Sequence, residues 1–242
     1  MALVGSGPGG VAYLTVQAVE RIQQADVLIC DALVDEEVLA LASPDCDIVL
    51  VGKRGGQPSV PQADIDRLLV DYAQQGKRVV RLKSGDPFIF GRVSSELKAL
   101  TTAGYTYEVV PGLSSALTAP LLAGIPLTDP LLSRCFAVCS AHDPALLNWL
   151  ALAQVDTLVL LMGAQQLPAI VEHLSRAGRP LTTPVAIIQW AGRANQRIWR
   201  GTLATIVAQT TGESLSPAVI VIGEVVTLSQ TGQFINAPTT PS

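Results

Sequence analysis

Apolar residues along the chain fall into short β-rich runs that alternate with stretches of helical spacing. Ala2–Val4 reads as a buried strand, followed by Tyr13, Leu14, Val16, Val19 and Ile22 as the stripe of a helix ending near Ala25. Val27–Cys30 predicts a second strand that ends at Asp31. A short helical piece over Asp35–Ala42 leads to a third strand, Ile48–Val51. Ser59 and Gln62 have the spacing of a capping box, ahead of a helix with Ile65, Leu68, Leu69 and Tyr72 inward and Gly76 at its end. Val79–Leu82 predicts the fourth strand. Glu96, Leu97 and Leu100 mark a helix ending at Gly104, and Tyr107–Val110 is the fifth strand. A helix of small residues then runs toward Gly124, with Pro120 expected to kink it.

Pro126, Asp129 and Pro130 interrupt the pattern, which then restarts. Strands are predicted at Cys135–Ser140, Thr157–Met162, Val185–Gln189 and Ala218–Ile222, with an extra edge strand at Gln196–Gly201. The clearest helix, Leu167–Ala177, turns Ile170, Val171 and Leu174 inward. Alternating strands and helices predict parallel sheets covered on both faces. The expected organisation is an N-terminal α/β domain over 1–128, a C-terminal α/β domain over 129–228 and a frayed tail over 229–242. Both domains are expected to have mostly parallel sheets, with a ligand cleft between them.

Composition supports an ordinary folded interior. Of 242 residues, 49% are apolar and 15% charged, and with aromatics at 5% the core has to be built from Val, Leu, Ile and Ala. The net charge of −4 argues against a general nucleic-acid binder. The four cysteines form no Cys-x-x-Cys pair, so no structural zinc is expected, and Cys30 reads as a small core residue. Mean hydropathy is +0.40, yet each apolar run is shorter than the roughly 20 residues a membrane span requires. No secretory leader is apparent, and a reducing cytoplasm is the expected compartment.

Gly5, Gly7 and Gly10 satisfy G-x-G-x-x-G between a strand and a helix, and Asp31 ends the next strand about 20 residues on, as in a dinucleotide fold. Pro8 weighs against that reading, because it removes an N–H that could face a pyrophosphate. Three further strands also end in glycine-bearing loops, at Gly52–Gly56, Ser84–Pro87 and Pro111–Ser115. Four such loops suggest a ligand held mainly by backbone atoms along one sheet edge.

Several blocks occur in the order of a known family: Val4-Gly5-Ser6-Gly7-Pro8-Gly9, Gly52-Lys53-Arg54, Arg81 to Arg92 (RLKSGDPFIFGR), Val109-Val110-Pro111-Gly112, Gly124-Ile125-Pro126-Leu127-Thr128 and Met162-Gly163. From about residue 3 to about residue 228 the chain resembles the tetrapyrrole methylases, most of all those acting on uroporphyrinogen III. The resemblance implies two α/β domains, a homodimer, and S-adenosyl-L-methionine as cofactor in the interdomain cleft. It implies methyl transfer to two ring carbons of uroporphyrinogen III, giving precorrin-2 for sirohaem or cobalamin, with S-adenosyl-L-homocysteine as the other product.

By the same resemblance the cofactor is read by Pro8, Ser84, Gly85, Asp86, Ile89, Ser114, Ser115 and Met162, and by Ala191, which stands at a family glycine. Asp31 is the implied base and Lys53 the implied acid. Arg54 and Arg92 are implied partners of the substrate carboxylates. His142 falls at a family histidine and is read as structural. The chain departs from the family pattern at Gly10, Ala32, Ser84, Val93-Ser94-Ser95, Asp129 and Ala191. Three other readings stay open: a methyltransferase for a later precorrin, an NAD(P)-dependent oxidoreductase, and a binding module without activity.

Overall fold

The computed structural model describes residues 1–52 and 60–229. The chain divides into two compact units, 1–114 and 115–242. The sequence placed the break later, at 128/129. The segment in question contains a helix, α5 (Ser115–Leu122), that packs on strands of the second unit, which is why it belongs there.

In the first unit five parallel strands form one sheet: β1 (Ala2–Gly5), β2 (Val27–Cys30), β3 (Asp47–Leu50), β4 (Val79–Lys83) and β5 (Glu108–Val110), in the order β3-β2-β4-β1-β5. Both faces are covered, and residues alternate between them. Val4, Leu28, Cys30, Val80 and Leu82 join one cluster with Ala18 and Ile22 of α1 (Val16–Gln24) and Val38 of α2 (Glu36–Leu39). Leu3, Val27, Ile29 and Val79 join the other, with Ile65 and Leu69 of α3 (Gln62–Gln74) and Leu100 of α4 (Val93–Thr102). Burial on both faces is why β1 and β2 read as continuous apolar runs.

The strand order differs from a dinucleotide fold. There β2 lies directly beside β1, whereas here β4 sits between them. The helix after Gly10 also starts later than its apolar stripe predicts. The Thr15 side chain accepts the Ala18 N–H at 3.1 Å and starts α1 at Val16, so Tyr13 lies in a preceding 3-10 turn. That phase leaves Val16 exposed and turns Ala18 and Ile22 inward. The capping-box residue Ser59 lies outside the described residues, and Pro61 precedes α3 without a side-chain cap.

The second unit holds β6 (Phe136–Ser140), α6 (Trp149–Leu152), β7 (Thr157–Leu161), α7 (Leu167–Arg176), β8 (Pro184–Gln189), β9 (Arg197–Thr202), α8 (Ile206–Gln209) and β10 (Ala218–Ile222), as well as α5. Its sheet runs β6-β7-β10-β8-β9, with β9 at the expected edge. Only β6 and β7 pair in parallel. β10 lies antiparallel between β7 and β8, and β8 and β9 are antiparallel neighbours. The expectation of mostly parallel sheets is corrected for the second one: a short connection pairs β8 with β9 as a hairpin, and β10 then enters antiparallel between β7 and β8. Ile170 and Leu174 of α7 pack with Leu158, Leu160, Ile187, Ile220 and Ile222. The predicted tail lies outside the described residues from 230 onward.

Candidate active site

All strands of the first sheet run the same way, so the turns that follow them share one edge. Those after β1, β4 and β5 are packed backbone to backbone. Gly7 N–H donates to the Gly85 carbonyl at 3.2 Å, Gly85 N–H returns a bond to Gly7 at 2.9 Å, and Ser6 N–H reaches the Lys83 carbonyl at 2.8 Å. A Cβ on Gly112 would stand 2.2 Å from the Gly85 carbonyl oxygen and 2.7 Å from Gly5 Cα. Only glycine permits this approach, and it leaves a cradle lined by main-chain atoms.

Asp86 ties the cradle together. One carboxylate oxygen accepts the Phe88 N–H at 2.8 Å, and the other accepts the Gly112 N–H at 3.2 Å. Beyond it, Phe88, Ile89 and Phe90 are exposed. Phe90 and Arg92 have left-handed backbones, at φ 54° and 53°. Non-glycine residues pay about 1–2 kcal/mol for that conformation, a cost that tends to collect at functional loops. Arg92 precedes α4, is exposed, and makes no ion pair among the described residues.

Asp31 follows β2 at the same edge. Its N–H bonds the Leu82 carbonyl at 3.1 Å, and one carboxylate oxygen accepts the Ser84 N–H at 3.3 Å. The other oxygen is held by the Arg81 guanidinium. The Asp31 side chain is 32% exposed against 2% for Arg81, so the acid reaches solvent while its partner does not. Next to this acid, Ser84 Oγ is buried without a hydrogen-bond partner, a polar atom that a ligand could satisfy.

Behind Asp31 lies a group that the sequence reading did not identify. Arg81 Nε donates to Glu96 at 2.9 Å, and Lys83 Nζ donates to both Glu96 oxygens at 2.9 Å. All three side chains are buried. Burial works against the Arg81 charge, but Asp31 and Glu96 outweigh it and hold the group above its ordinary pKa. Burial, with Arg81 nearby, pushes Lys83 below its own. Removing one partner from such a pair leaves an uncompensated buried charge, at about 3–5 kcal/mol. The available signal was two cations at alternate positions of a strand that is buried on both faces.

Pro8, Ser84, Gly85, Asp86 and Ile89 thus lie on the two turns that Gly7 and Gly85 join, and Asp31 is bonded to one of them. Ser114 and Ser115 fall where the first unit ends and α5 begins. Met162 and Ala191 belong to the second unit. Met162 follows β7 with φ 58° and is exposed. Ala191 is buried between Trp190, at φ 51°, and Gly192, in a turn closed by Arg193 N–H on the Trp190 carbonyl at 3.1 Å. Lys53 and Arg54 lie outside the described residues. Cys30 is wholly buried, and burial pushes its thiol up to about 12, in keeping with a core residue. No helix among the described residues is long and apolar enough to cross a membrane.

Comparison with known proteins identifies the family and the fold. The family profile of tetrapyrrole (corrin/porphyrin) methylases matches residues 1–207. The chain is 57% identical over 226 residues to a uroporphyrinogen-III C-methyltransferase of Synechococcus elongatus, covering 93% of each. It is 46% identical to a siroheme synthase of Actinobacillus pleuropneumoniae, covering 95% of this chain but 48% of that longer protein. Among solved structures it is similar to a Thermus thermophilus uroporphyrin-III C-methyl transferase complexed with S-adenosylhomocysteine. The TM-score is 0.81 at 37% identity, over 94% of this chain and 98% of the other.

Proposed function

The chain belongs to the tetrapyrrole (corrin/porphyrin) methylase family, and from that premise we propose that it methylates two ring carbons of uroporphyrinogen III with S-adenosyl-L-methionine, giving precorrin-2 for sirohaem or cobalamin biosynthesis. When bound, the donor supplies an electrophilic methyl group on a sulfonium and leaves as S-adenosyl-L-homocysteine. The residues present suit it. The donor carries no phosphate, and the turns at Gly5, Gly85 and Gly112 pack main chain to main chain with no side chain between them. The unpartnered Ser84 hydroxyl adds one more polar contact. Met162 and Ala191 are proposed as cofactor contacts on the resemblance alone.

Methyl transfer is a displacement at carbon, so holding the reactants in line contributes much of the rate. A ring carbon that gains a methyl group also has to lose a proton. Asp31 is the proposed acceptor, with Lys53 as the proposed acid. Two hydrogen bonds orient the Asp31 carboxylate. Positive charge on the methylated macrocycle makes the departing proton acidic, so a carboxylate can accept it. Arg92, with Lys53 and Arg54, is proposed to meet the substrate's carboxylates. A homodimer is part of the same reading and rests on the resemblance, and a cytoplasmic location is proposed with it.

The observation that carries the proposal is the packing of three main-chain turns beside a partly exposed acid. Incubating the chain with uroporphyrinogen III and S-adenosyl-L-methionine, then weighing the product, tests it. A macrocycle heavier by two methyl groups supports the reading, and an unchanged one rejects it. Calorimetry separates off the nicotinamide alternative, because S-adenosylhomocysteine should bind and NAD and NADP should not.

A further inference from the structure

Strand β4 carries two cations into the interior. Val80 and Leu82 face one apolar cluster, which leaves Val79, Arg81 and Lys83 on the α3–α4 side. Arg81 and Lys83 are each 2% exposed. In the first turn of α4, fully buried Glu96 accepts hydrogen bonds from both. The far side of the Arg81 guanidinium holds Asp31, and its Nη1 also donates to the Ile29 and Leu82 carbonyls, at 3.2 and 3.1 Å. The result is a chain of alternating charge, Asp31–Arg81–Glu96–Lys83, in which Asp31 alone reaches solvent. Stability alone does not account for it, since apolar residues of similar volume often serve a core equally well or better. A fully satisfied buried network does fix the direction of its exposed member and the field acting on it.

We propose that Arg81, Glu96 and Lys83 are positioning residues for Asp31, which aim its carboxylate and set how readily it takes up a proton. The inference rests on the reading of Asp31 as the proton acceptor. Glu96 shares the Arg81 charge with Asp31. With Glu96 neutralised, that charge falls on Asp31 alone and protonation becomes harder. With Lys83 removed, Glu96 turns wholly to Arg81 and protonation of Asp31 becomes easier. Among the described residues, Arg81 and Lys83 of β4 and the Cys30 thiol of β2 interact electrostatically with Asp31. Glu96 of α4 acts through Arg81, and Lys53 lies outside the described residues.

The test is kcat/KM against pH for wild type, Glu96→Gln and Lys83→Met, with uroporphyrinogen III and S-adenosyl-L-methionine, alongside calorimetry with S-adenosylhomocysteine. The acid limb should move down by about one pH unit in Glu96→Gln and up by about one in Lys83→Met, with donor-site affinity unchanged. Limbs that stay in place, or that move in the same direction, overturn the proposal. If Glu96→Gln does not fold, Lys83→Met decides alone by the direction of its limb, because it keeps the Glu96–Arg81 pair. Asp31→Asn separates the two levels. Full activity in that variant removes the base assignment itself. An inactive Asp31→Asn with an unmoved limb in Lys83→Met removes only the network.

Discussion

Asp86 and Gly112 are joined by a 3.2 Å hydrogen bond from the Gly112 backbone N–H to the Asp86 carboxylate, which fixes the turn after β5 against the turn after β4. The other carboxylate oxygen is taken by the Phe88 N–H. Asp86 therefore shapes the cradle through its acceptors and does not need to touch a ligand to matter.

Replacing Asp86 by Ala should release both turns. Hydrogen bonds to charged groups contribute about 1.5–3 kcal/mol each, so S-adenosylhomocysteine affinity should fall at least about tenfold. Isothermal calorimetry reads this directly. An affinity equal to wild type would show that the turns hold their positions without the carboxylate.

Gly112→Ala probes the same contact from the steric side. The added methyl would meet the Gly85 carbonyl oxygen and Gly5 Cα, backbone atoms that cannot swing aside. The expected cost is about 1–3 kcal/mol of stability, together with loss of donor binding. A thermal melt and a binding titration check both effects, and a variant unchanged in each would contradict the packing described.

The first sheet was largely legible in the sequence because burial on both faces demands unbroken apolar runs such as Val27–Cys30. The face of α1 was not. Thr15 sets its start, and periodicity alone drew Tyr13 and Val16 into the inward stripe. Nor was the direction of β10, since an apolar run reads the same in a parallel or antiparallel neighbour. At the site, the glycine turns stood out because several strands end in them, and Asp31 because it matches the family pattern at the end of its strand, although Gly and Asp are each common in turns. Glu96 passed as an ordinary helix residue. Its role depends on Arg81 and Lys83 turning inward, against the usual preference of charges for the surface. The left-handed backbones of Met162 and Trp190 gave no signal at all, because neither residue type favours that conformation.

Ser84→Ala should separate stability from binding. The Oγ is buried and unpartnered, so its removal relieves an unsatisfied polar group, and the free protein should melt at or above the wild-type temperature. If the hydroxyl bonds the donor, S-adenosylhomocysteine affinity should fall by about fivefold, equivalent to about 1 kcal/mol. Unchanged affinity would remove Ser84 Oγ from the binding set while leaving its N–H on Asp31 in place.

Asp26 and Arg78 join the starts of β2 and β4, where Arg78 Nη2 meets Asp26 at 2.6 Å and the Arg78 N–H meets it at 2.7 Å. The side-chain bonds from Arg78, followed by its backbone N–H, hold the Asp26 carboxyl down at about 2. In the unfolded chain it titrates near its ordinary value of about 3.9. Because the folded value is the lower one, the pair's contribution is fully present above the unfolded value and is lost as pH falls through the folded one. Asp26→Asn should therefore melt below wild type near neutral pH, with a deficit that narrows between about pH 4 and about pH 2. The pair is solvent-exposed and screened, so the shift should be small and should shrink further in high salt. Melting curves across that range are the check. A deficit that stays constant down to about pH 2 would mean that Asp26 acts through packing or the backbone bond, not through its charge.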